Sequence, residues 1–111
     1  MDSILNSIKK LLGIDEANTS FDTDVMIHIN SVFADLKQLG VGPDEGFRIT
    51  GIFETWSDFT SDKIDIESVK TYMYLRVRLL FDPPTTSGLV EAMTKQADKL
   101  EWRLNVAADT I

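Results

Sequence analysis

The chain lacks cysteine altogether and has a single histidine in its 111 residues. Without cysteine there is no disulfide framework and no thiolate nucleophile, and a reducing compartment is expected. No apolar run approaches the roughly 20 residues that a membrane-spanning helix needs, so no membrane partner is expected. The acids outnumber the bases to give a net charge of −7, which argues against a protein that grips a nucleic-acid backbone.

Catalytic motifs are missing too. The sequence has no glycine-rich phosphate loop and no cluster with metal-ligand spacing. His28 lies beside the apolar stripe of a predicted helix, without a sequence-near catalytic partner, and is interpreted as a structural histidine. Asp15 with Glu16, or Asp22 with Asp24, could bind a cation, but the helix dipole already favours acids near a helix start. We therefore predict a protein that is not an enzyme and has no metal and no cofactor.

Apolar spacing predicts four amphipathic helices, over about residues 3–12, 22–39, 65–81 and 88–106. The third is apolar around most of its girth and is expected at the centre of the bundle. The inward stripes of the first and the fourth are Ile4, Leu5, Ile8, Leu11 and Leu12, and Leu89, Met93, Ala97, Leu100 and Leu104. Residues 1–111 are thus predicted to form a single mainly α domain, a small bundle of about four helices, with a flexible tail at 107–111.

Residues 40–64 form the least regular part of the sequence. Proline and two glycines within 41–46 indicate a turn. Residues 47–50 alternate enough to predict a short strand or extended segment. Ile52, Phe53, Trp56 and Phe59 recur at helical spacing, which predicts a short helical turn that packs its aromatics against the core.

Pro83 and Pro84 create a hard corner between the third and fourth helices. Two consecutive prolines remove two backbone donors and disfavour the α conformation at the residue before them, so the third helix must end near Asp82. The side chains of residues 85–87 (Thr-Thr-Ser) can then cap the next helix.

Two positions leave alternatives open. Arg76 falls inside the apolar arc of the third helix, where an unpaired charge is costly, so it pairs either with an acid of another helix or with a second copy or partner. Trp102 lies with Arg103 and Val106 near the end of the fourth helix. Large aromatics and Arg are enriched at interface hot spots, so Trp102 either faces a partner or folds over the loop of residues 41–60.

The segment from Val69 to Pro84 resembles the head–tail connector (adaptor, or head-completion) proteins of long-tailed bacteriophages and prophages. The run Arg-Leu-Leu-Phe-Asp-Pro-Pro at 78–84 and the later Glu-Trp-Arg-Leu at 101–104 carry the resemblance. It covers residues 65–106, and the first half of the chain matches only in outline.

The resemblance implies a helical subunit made in the host cytoplasm that forms a ring, a dodecamer on the portal, at the head–tail junction of the virion. The portal protein lies on one side of such a ring and a stopper or tail-completion protein on the other. The ring extends the channel for double-stranded DNA without sequence-specific binding, helps retain the packaged DNA and attaches the tail.

The resemblance also implies roles for particular residues. Trp102, Arg103 and the segment 105–111, with Val106 in it, would dock on the portal. The remaining motif positions would maintain the helical corner and the contact between subunits; they are Arg76, Arg78, Phe81, Asp82, Pro83 and Pro84.

A second function class is an acidic inhibitor that mimics DNA and blocks a host or phage DNA-binding protein. Its surrogate phosphates would be Asp15, Glu16, Asp22, Asp24, Asp44 and Glu45. Against it, apolar positions interrupt these acids, and the proline corner has no place in such a mechanism.

Overall fold

A computed structural model describes residues 3–60 and 65–109. They form five helices: α1 (Ile4–Leu11), α2 (Asp22–Gln38), α3 (Trp56–Phe59), α4 (Ile66–Phe81) and α5 (Ser87–Asp109). Within those two ranges there is no sheet, and an isolated antiparallel bridge joins Ser3 to Thr55. The prediction of a small, mainly α bundle is confirmed.

Polar side chains and a glycine mark three of the helix ends. The Ser3 side chain accepts a hydrogen bond from the Asn6 N–H at the start of α1, and Asp65 accepts one from Ser68 at the start of α4. Gly40 follows α2 at φ +83°, a left-handed conformation that glycine adopts without strain.

The fourth predicted helix is longer than expected. As α5 it reaches Asp109, so the boundary predicted at residue 106 was three residues too early. The predicted flexible tail is therefore helical over 107–109, and its last two residues lie outside the described part of the chain.

Helix α4 is central, as its apolar girth predicted, because it packs against α1, α2 and α5. The folded chain is flat, with principal extents of 41 × 35 × 19 Å. The most deeply buried core side chains are Ile4, Leu5, Ile8, Val25, Ile29, Val32, Phe33, Leu36, Ile49, Val69, Tyr72, Met73, Val77 and Ala97.

The connection between α2 and α4 excludes one of the two alternatives predicted for residues 47–50, the strand, and corrects the predicted start of the short helix. No strand forms over 47–50, because the Asn30 side chain binds both backbone groups of Ile49. The Ile49 N–H donates to Asn30 Oδ1 at 2.7 Å, and Asn30 Nδ2 donates to the Ile49 carbonyl at 3.0 Å. The short helix begins only at Trp56, where Thr55 and Asp58 form a capping box. The predicted burial is right for Trp56 and Phe59.

The same prediction is wrong for Ile52 and Phe53, which precede the short helix and are exposed. Leu11 and Leu89 are exposed as well, although both belong to predicted inward stripes. Each lies in a terminal turn of its helix, so the apolar pattern continues beyond the stretch that a neighbouring helix covers. In the described residues, no helix combines the length and the hydrophobicity needed to cross a membrane.

Candidate interaction surfaces

Hydrogen bonds of Arg78 stabilise the corner that follows α4. Its Nε donates to the Asp82 carbonyl at 3.3 Å, and the Asp82 N–H donates to the Arg78 carbonyl at 2.9 Å. Its Nη1 also donates to the Tyr74 hydroxyl at 3.1 Å, a contact that raises the pKa of the guanidinium. Asp82 is the C-cap of α4, so the prediction that the helix ends there is confirmed.

Phe81 anchors the corner against α2. Its ring makes edge contacts with Phe21, at 5.7 Å between centroids, and with His28, at 6.3 Å. Pro83 and Pro84 then lead the chain out of this contact toward α5. His28 thus takes part in the packing of the corner, in keeping with its interpretation as a structural residue.

Arg76 pairs with acids of another helix in its own chain, which is the first of the two alternatives for this residue. Its Nη2 lies 2.9 Å from the Asp98 carboxylate and 3.4 Å from the Glu101 carboxylate, both on α5. The Tyr72 hydroxyl donates to the same Glu101 oxygen at 2.8 Å, and the guanidinium lies 5.2 Å from the centre of the Tyr72 ring. Burial, reinforced by Glu101 and opposed by Arg76, raises the pKa of Tyr72 to about 12. These contacts fix α5 on α4.

Trp102 faces away from the bundle. It is 67% exposed, and Arg103 and Val106 beside it are exposed as well. Leu100 and Leu104 occupy the inward positions of the same helix, so Trp102 has no route to the loop of residues 41–60. The alternative in which Trp102 folds over that loop is wrong. We call Trp102, Arg103 and Val106 the outer face of α5.

A second exposed apolar element, which the sequence analysis missed, is the tip formed by Ile52 and Phe53. Phe53 is 86% exposed. The tip is nonetheless fixed by the residues that flank it. The Glu54 carboxylate accepts hydrogen bonds from the Thr50 N–H at 2.9 Å and from the Thr50 hydroxyl at 2.7 Å. Although desolvation opposes them, these bonds lower the pKa of Glu54. The Ile4 N–H donates to the Glu54 carbonyl at 3.0 Å. The sequence signal was Gly51, which interrupts the helical spacing.

Two concave surfaces lie on different flanks of α2. The α2–α5 groove, of about 580 Å³, runs between those helices over α4 and is lined by Ser31, Val32, Asp35, Gln38, Leu39, Arg76, Leu79, Leu80 and Glu101. The loop flank, a cavity of about 360 Å³, is lined by Asn30, Phe33, Ala34, Lys37, Glu45, Gly46, Phe47 and Arg48. Both surfaces depend on where separate elements meet, which periodicity alone does not predict.

The acids of the inhibitor alternative do not form one surface of free carboxylates. Asp22 is held by Lys9, whose Nζ lies 2.8 Å from its carboxylate and donates to the carbonyls of Glu16 and Asn18 at 3.1 and 2.8 Å. Within residues 3–60 and 65–109, no three acids or histidines are grouped so as to hold a metal ion.

The fold and these surfaces define a small helical protein with rigidly held, exposed apolar side chains, as an assembly subunit requires. A model of the phage connector protein family matches residues 4–110. The chain therefore belongs to the phage connector protein family, and the resemblance found in its motifs is confirmed. No curated protein and no solved structure matches it. Membership implies a structural role between phage head and tail, contact with other head and tail proteins, and a place in the virion.

Proposed function

We propose that this chain forms a ring between the portal and the stopper or tail-completion protein of a long-tailed phage. The ring extends the DNA channel below the portal, helps to retain the packaged genome and supplies the surface on which the tail is attached. Membership of the connector family supports this role, and the shape of the subunit is compatible with it: a flat bundle 19 Å thick.

The outer face of α5 is the observation that carries the docking step. Trp102 contributes little to the fold at 67% exposure, yet the helix that presents it is held firmly by Arg76, Tyr72 and Glu101. A large aromatic on a rigid support is typical of an interface anchor, since little conformational entropy is lost on binding. Because the resemblance to connector proteins implies that Trp102, Arg103 and the segment 105–111 dock on the portal, we assign the outer face of α5 to the portal.

The charge of the chain suits a channel that DNA must pass through. A lining rich in Lys and Arg would bind phosphates and hold the duplex, whereas a net charge of −7 per subunit disfavours such binding. The duplex can therefore slide past the ring without sequence-specific contacts.

An early stop codon in the phage gene tests the proposal. Electron microscopy of the lysate should show heads that have lost their DNA beside unattached tails, and the chain supplied from a plasmid should restore complete particles. Normal tailed particles without the protein would overturn the proposal. A pull-down that then retained a DNA-binding enzyme would favour the acidic inhibitor.

A further inference from the structure

We infer that neighbouring copies in the ring meet head to tail, with the loop flank of one copy facing the α2–α5 groove of the next. The inference rests on the ring proposed above and names the two surfaces that build it. One chain carries both surfaces, on different flanks of the same helix. A contact between unlike surfaces repeats from copy to copy and closes into a ring when its rotation allows.

The loop flank carries an excess of positive charge. Asn30, Ala34 and Lys37 follow one another along α2 at the spacing of one helix face, and the segment that holds Arg48 lies against them. Lys37 and Arg48 are exposed and take part in no ion pair within the described residues. Glu45 is the one carboxylate that lines this cavity, so two cations face one acid there.

The α2–α5 groove has the opposite balance. The wall of the groove on α2 is formed by Ser31, Asp35 and Gln38. Each follows the corresponding loop-flank residue by one position, so this helix face is rotated by about 100° from the face of the loop flank. Asp35 is exposed and makes no ion pair among the residues described, while Glu101 shares Arg76 with Asp98. The groove is thus lined by two carboxylates, of Asp35 and Glu101, and by one guanidinium, of Arg76, which is already paired within the chain.

An apolar floor completes the groove. Leu79 and Leu80 of α4 line it between the polar walls, and Leu80 is 54% exposed at a position inside the apolar arc of its helix. Burial of this surface favours association, and the opposite charges above it orient the partner. The loop flank of a second copy supplies those charges, whereas two loop flanks or two grooves would face each other with like charge.

Cross-linking can test the contact cleanly because the chain has no cysteine of its own. A chain with both Glu45→Cys and Ser31→Cys, which keeps Lys37, Arg48 and Asp35, is treated with a short bismaleimide, as concentrated pure protein and in assembled particles. The expected result is a ladder of covalent oligomers that ends at the closed ring. Each single variant should stay monomeric, and an equal mixture of the two should stop at dimers, because each partner then offers only one reactive surface.

A control chain with Lys99→Cys and Ser31→Cys carries two exposed thiols that the proposed contact does not bring together, and it should give no ladder. Absence of a ladder from the first chain, in pure protein and in particles alike, would overturn the contact. So would covalent dimers of the Ser31→Cys variant alone, or a link from Ser31→Cys to another phage protein. The proposed function is judged separately, by whether tailed particles contain the protein and fail to form without it.

Discussion

The two tryptophans of this chain are used in opposite ways. Trp56 is 2% exposed, and its Nε1 donates to the Ser7 hydroxyl at 2.9 Å while its ring lies 6.4 Å from that of Phe33. Trp102 is 67% exposed and projects from the far side of α5. One indole joins α1 to the α2–α4 connection, and the other is available to a partner. The molecule thus keeps the residues that stabilise it apart from those that we assign to docking.

The largest expected effect comes from truncating each tryptophan in turn. Trp56→Ala should lower the free energy of unfolding by about 3–5 kcal/mol, since it leaves a cavity and removes the hydrogen bond that the Ser7 hydroxyl accepts. Trp102→Ala should change it by no more than about 0.5 kcal/mol. Urea denaturation of the purified variants gives both values.

In binding to the phage's own portal, Trp102→Ala should have the larger effect of the two tryptophan substitutions. Trp102→Ala should weaken association by about 2 kcal/mol or more, which is at least tenfold, while Lys95→Ala on the same helix serves as the control. If Trp102→Ala destabilised the monomer as much as it weakened docking, the tryptophan would belong to the core and the comparison would fail.

The next effect concerns the contacts of Arg76 that fix α5, the helix that carries Trp102, on α4. Arg76→Ala should cost about 1–3 kcal/mol of stability, because Glu101 and Asp98 lose their cation and the Tyr72 ring loses its cover. Lys95→Ala, which removes the exposed pair with Glu91, should cost at most about 0.5 kcal/mol. Equal losses in the two denaturation curves would show that the Arg76 contacts do not fix α5.

The proline corner should affect assembly more than folding. The double substitution Pro83→Ala with Pro84→Ala removes the block to α4, so the helix can continue and misdirect α5. We expect a stability loss of about 1 kcal/mol, mainly through a more flexible unfolded chain, and a clear drop in completed particles. Pro43→Ala, in the loop before the short helix, is the control. Normal particle yield from the double variant would show that the corner does not set the docking geometry.

The last effect is confined to alkaline solution. The pKa of Tyr72 is raised to about 12 from an ordinary value of 10, so the fold favours the neutral phenol. This contribution to stability is complete below pH 10 and is lost as the pH rises from 10 to about 12. Tyr72→Phe should therefore reduce the loss of stability across that window. Parallel slopes for Tyr72→Phe and the parent chain would contradict the assignment.

Local signals predicted most of the helices, and contacts between distant segments decided the rest. Ser3, Asp65 and the proline pair mark helix ends with their own side chains or backbone, so sequence alone located those ends to within a residue or two. The partners of Arg76 lie 22 and 25 residues further along the chain, and only the packing of α5 on α4 brings them together. The helical spacing that included Phe53 gave a wrong prediction because Asn30 binds Ile49 and the Glu54 carboxylate binds Thr50, which holds the backbone in a bend before the short helix.

Lys9 gives this molecule an internal reporter. It is 1% exposed and joined to the loop of residues 14–21, whereas the other described lysines lie at least partly on the surface: Lys10, Lys37, Lys70, Lys95 and Lys99. An amine-reactive reagent should modify those five readily and reach Lys9 only when the loop detaches. The acylation rate of Lys9, read by mass spectrometry, would therefore measure how often this end of the subunit opens, both in the free protein and inside the finished virion.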